Sequence, residues 1–158
     1  MAAHYGISIA RYLAEGFAEA GHDVVTVGPA FGTYIPWHGG MELPERYTWT
    51  PTLALDRDKR HSIADVVAQI GPVDLVVHGD CQFFLGGPSP VPNVCYAVDN
   101  HVREYNERPF DLIFGAHSWG FRHGDNNFVW LPCAYSPKHH NDRDNRGDRP
   151  VDVGFVGV

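Results

Sequence analysis

The 158-residue chain lacks several features that would place it quickly. No stretch approaches the roughly 18 consecutive apolar residues of a membrane-crossing helix, so a helical span is excluded. The Met-Ala-Ala start has neither the basic flank nor the apolar core of a secretory signal. Cysteine is scarce: Cys81, Cys95 and Cys133 show no C-x-x-C spacing, and their odd number argues for reduced thiols in a cytoplasmic protein. Positive charge is scarce as well. Twelve Lys and Arg against 19 Asp and Glu give a formal net charge of -7, which argues against gripping a nucleic-acid backbone as the main activity. G-x-G-x-x-G, H-E-x-x-H and G-x-S-x-G are all absent, which leaves no dinucleotide fingerprint, no zinc-protease helix and no serine elbow.

What is present is an ordinary globular composition, 44% hydrophobic and 20% charged, in a length that suits one domain. Residues Ile7 to Ala20 place Ile7, Ala10, Leu13, Ala14, Phe17 and Ala18 on one face, with Gly21 as the stop, and predict an amphipathic helix. A short buried strand is expected over Val24 to Gly28. Between Pro29 and Pro51 the chain is rich in Gly, Pro and aromatics and reads as a long loop, with one strand near Tyr47 to Leu55. Ser62 caps a second helix striped by Ile63, Val66, Val67 and Ile70, which Gly71-Pro72 ends.

Four apolar runs follow: DLVVHG from Asp74, VPNVCYAVD from Val91, FDLIFGA from Phe110 and FVWLP from Phe128. Each is unbroken, the pattern of parallel strands covered on both faces, so the expected class is α/β with a Rossmann-like parallel sheet and helices on both faces. A doubly wound sheet normally has a strand before its first helix, whereas only MAAHY precedes Gly6. The expectation is therefore a chain shortened at its start.

Ligands of open parallel sheets bind outside the carboxyl ends of the strands. Those ends carry His78, Gly79, Asp80 and Gln82; Asp99, Asn100 and His101; His117, Ser118, Trp119 and Gly120; and Ala134, Tyr135 and Ser136. Carboxylates, amides and imidazoles recognise hydroxyls, and an aromatic face packs on a ring, so the set suits a sugar or nucleotide cleft. Asp, Asn, Ser and Gly are also ordinary turn and cap residues, and His78 reads best as a buried structural histidine. Trp119 could equally plug the core. It is the recurrence at four ends that carries the argument. Gly6, after His4-Tyr5, would let a ligand approach the first helix N-terminus. His78 with Asp80, and Asp99 with His101, could converge on a metal ion, but no specific ligand spacing supports one.

The last ten residues, RPVDVGFVGV, read as a buried strand turning into a phosphate-facing loop, as at the opening of a nucleotide-binding domain. EGFAEAGHDVVTVGP resembles the first helix and second strand of GT-B glycosyltransferases. FDLIFGA, then VWLPCAYSPKHH, then a polar gap and VDVGFVG is similar to the stretch joining the two domains of CgeB-like glycosyltransferases. The matching residues are Trp130, Leu131, Pro132, Ala134, Pro137, His140, Asp152, Val153, Phe155, Val156 and Gly157. AVDNHVREY is comparable to an acidic post-strand loop of that family.

The resemblance implies metal-independent sugar transfer from a nucleotide-sugar donor, used as co-substrate without a further cofactor. The acceptor, a polysaccharide, protein or modified nucleic acid, would be held by the N-terminal domain. It divides the chain into an acceptor-side domain at 1–137, a polar connector at 138–150 and, at 151–158, the first strand of a donor domain otherwise missing. Such a chain is expected to be inactive alone and to self-associate through apolar surface left bare. Asp99 and His101 lead as catalytic groups, with His4 behind them. Gly6, Gly79, Asp80, Asn100, His117, Ser118, Trp119 and Tyr135 are expected to bind substrate. Two other readings stand beside it: a sugar- or nucleotide-binding Rossmann-like module without catalysis, and a metal-dependent hydrolase.

Overall fold

The computed structural model describes residues 9–30, 32, 34–35, 40–42, 45, 48–79, 85–98, 110–116 and 127–133. Helix α1 spans Ile9–Glu19, a segment rich in Ala, Leu and Glu, with Arg11 Nε donating to Glu15 Oε1 at 2.9 Å one turn on. It stops as the sequence predicts. Gly21, at φ +91°, donates to Ala18 O, and His22 donates to Phe17 O while its ring meets the Phe17 ring at 5.7 Å. That is a Schellman end with its customary contact, and it needs a residue tolerant of positive φ.

Helix α2, Ile63–Ile70, begins where Ser62 Oγ accepts from the Asp65 N–H at 3.0 Å and ends at Gly71, φ +93°. Its stripe is the more deeply sunk of the two. Ile63 and Val66 are buried with Leu85, whereas α1 has no fully buried residue.

Short strands β1 (Val27–Gly28), β2 (Tyr34–Ile35), β3 (Met41–Glu42) and β4 (Leu53–Ala54) occupy the region between the helices. β1 and β4 pair in parallel, tied at their start by Thr52 N donating to Thr26 Oγ1 at 2.9 Å. β2 and β3 pair antiparallel, so the stretch expected as loop holds a two-residue ribbon, too short to impose a period on the sequence.

The main sheet holds β5 (Val76–Gly79), β6 (Asn93–Ala97), β7 (Leu112–Gly115) and β8 (Phe128–Trp130), parallel and in sequence order. The class is α/β with a parallel sheet, as the apolar runs predict. Register puts His78, Cys95, Ile113 and Phe128 in one row. Three of these, Cys95, Ile113 and Phe128, join Ala97 and Phe110 in a core cluster, and the His78 ring stands edge-on to Phe110 at 5.3 Å.

Alternation along β5 sends Val76 and His78 to one face and Val77 and Gly79 to the other. Val76 packs on the α2 cluster, as do Val27, Leu53 and Leu55 of the smaller parallel pair. On the opposite face Gly79 meets α1, so β5 has a helix on each side. A Cβ at Gly79 would lie 3.2 Å from Ala10 Cα and 3.3 Å from Leu13 Cδ1.

One strand departs from the expected double cover. Val129 and Trp130 of β8 are 42% and 62% exposed, and among the described residues neither helix packs closely on it, whereas β5, at the other end of the described order, has a helix on each side. No helix among the described residues is long and apolar enough to cross a membrane.

Candidate functional site at the carboxyl edge of the sheet

The two ends of the parallel strands are built differently. At the amino end Asp111 takes the Asn93 N–H on its Oδ2 at 2.7 Å, and its own N–H donates to Asn93 O at 2.8 Å. Asn127 Nδ2 donates to Phe110 O at 3.3 Å, and Asn127 O accepts from Ile113 N at 2.7 Å. Side-chain and backbone groups there are spent on holding strands in register. Asn93, buried at the start of β6, belongs to that set.

At the carboxyl end the backbone ladder runs one residue past the strands, with Ala116 N donating to Ala97 O and Leu131 N to Gly115 O, both at 2.9 Å. Beyond it stand groups with other uses. Tyr96 is buried in β6 between Gly79 and Phe114 in register, and its hydroxyl pairs with the thiol of exposed Cys133. Burial, then that hydrogen bond, pushes the phenol up to about 12, so it stays a neutral donor at any physiological pH. Trp130, the last residue of β8, donates its Nε1–H to Ala116 O at 3.3 Å while the indole stays largely exposed.

Of the site residues expected from the sequence, Gly79 lies in the described structure: it is the last residue of β5, where its missing side chain admits α1. His4, Gly6, Asp80, Asp99, Asn100, His101, His117, Ser118, Trp119 and Tyr135 lie outside the described residues. Several of them directly follow described strand ends: Asp80 follows Gly79, Asp99 follows Val98 and His117 follows Ala116. The connector at 138–150 and the apolar segment at 151–158 also lie outside. His78 occupies the buried structural place expected of it. Among the described residues no three His, Cys, Asp or Glu side chains gather as metal ligands.

Sequence reading passed over Tyr96, Trp130 and Cys133 as site residues. A signal existed for Tyr96, since a phenol in the middle of a buried strand must send its hydroxyl to a partner. Trp130 was hidden by sitting in a run that looks like core. Comparison of the chain with family models, with curated proteins and with solved structures gives no match.

Proposed function

We propose that this chain is the acceptor-side part of a glycosyltransferase, moving a sugar from a nucleotide-sugar donor to a hydroxyl of an acceptor. The observation that carries the reading is that β5, β6, β7 and β8 run parallel, so that their carboxyl ends, where such sheets take ligands, share one edge, and in sequence three of those ends are followed by the polar residues Asp80, Asp99 and His117. The likeness of the VWLPCAYSPKHH and VDVGFVG segments to CgeB-like glycosyltransferases supplies the reaction class.

In that reaction the acceptor oxygen bonds to the anomeric carbon as the bond from that carbon to the nucleoside diphosphate breaks. The hydroxyl proton passes to a base, and the diphosphate leaves with the bonding pair. Asp99 and His101, just past β6, are the residues proposed to take the proton, and His4 is a third candidate. Gly6, Asp80, Asn100, His117, Ser118, Trp119 and Tyr135 are proposed to hold substrate beside them.

A screen of nucleotide sugars against this chain extended by a donor-side domain tests this, reading thermal shift and donor hydrolysis together. A donor that raises the melting temperature and is slowly hydrolysed supports the transferase, and Asp99→Ala should then lower turnover far more than stability. Binding without turnover, unaffected by Asp99→Ala, would favour a sugar-binding module. No shift with any nucleotide sugar would remove the proposal.

A further inference from the structure

No further inference is drawn: the strongest candidate, the junction beyond the carboxyl end of β5 where Gly79 packs on Ala10 in the first turn of α1 and Gly86 pairs with Ser62 at the start of α2, belongs to the site already described and rests on two helix N-termini with no second observation among the described residues that points to a ligand.

Discussion

Strands β5 and β8 are read from the sequence by the same sign, an unbroken apolar run, and the structure treats them in opposite ways. β5 is sandwiched: α2 packs on Val76 and α1 comes close enough to Gly79 that a methyl group would press on backbone. β8, at the other end of the described order, has Val129 and Trp130 exposed and Leu131 beyond it 46% exposed, with neither helix packed closely on it among the described residues. The lesson is that an apolar run marks a strand without saying which faces of it a helix covers.

The contrast breaks most sharply at Ile63, 2% exposed at the centre of the cluster that α2 shares with β1, β4 and β5. Ile63→Ala should cost about 2–5 kcal/mol, by lost burial plus the cavity left behind. Because one cluster serves both sheets, urea denaturation should show the loss in a single transition. A cost under about 1 kcal/mol would mean that α2 is not the element joining them.

Next in size is Gly79→Ala. The atoms facing the new methyl are Ala10 Cα at 3.2 Å and Ala10 N at 3.4 Å, which are backbone and cannot rotate away. The expected loss is about 1–3 kcal/mol, with weaker helix signal in circular dichroism as α1 is pushed off β5. Were Gly79 kept only for ligand access, stability would be unchanged and binding alone would suffer, so a melt separates the two roles.

How much of this was legible follows from the same residues. The Ser62 cap, the Gly21 and Gly71 stops and the α2 stripe were readable because each is a local hydrogen-bond or φ requirement written into a few neighbouring residues. Four parallel strands were readable from their runs. The β2–β3 ribbon was not, since two residues per strand impose no alternation. The exposure of Trp130 was invisible for a different reason: which strand a helix covers depends on packing between distant segments. The pairing of Tyr96 with Cys133, 37 positions apart in sequence, is of that kind too.

That pairing links the central strand to the chain just beyond β8 and predicts a pH dependence. The phenol is raised from 10.0 to about 12 in the folded chain, so the unfolded chain gives up this proton first. The stabilisation is fully present below pH 10 and is lost as pH rises from there through about 12. Wild-type stability should therefore fall more steeply than that of Tyr96→Phe across this window in denaturant titrations. Parallel profiles would show that Tyr96 does not hold its proton against burial.

The smallest expected effect is the one that most sharpens the comparison. Trp130→Ala removes a large apolar side chain, and in β5 or β6 such a truncation would be severe. At β8 the indole is mostly in water already, and its one hydrogen bond, to Ala116 O, leaves an acceptor that solvent can reach at the end of the strand. Stability should change by no more than about 0.5 kcal/mol, the range of ordinary surface substitutions. Solubility should improve if Trp130 feeds self-association, and the sedimentation profile at high protein concentration would show it. A loss of several kcal/mol would instead mean that Trp130 is covered in solution, which would move β8 into the same category as β5 and leave the carboxyl edge without its exposed aromatic.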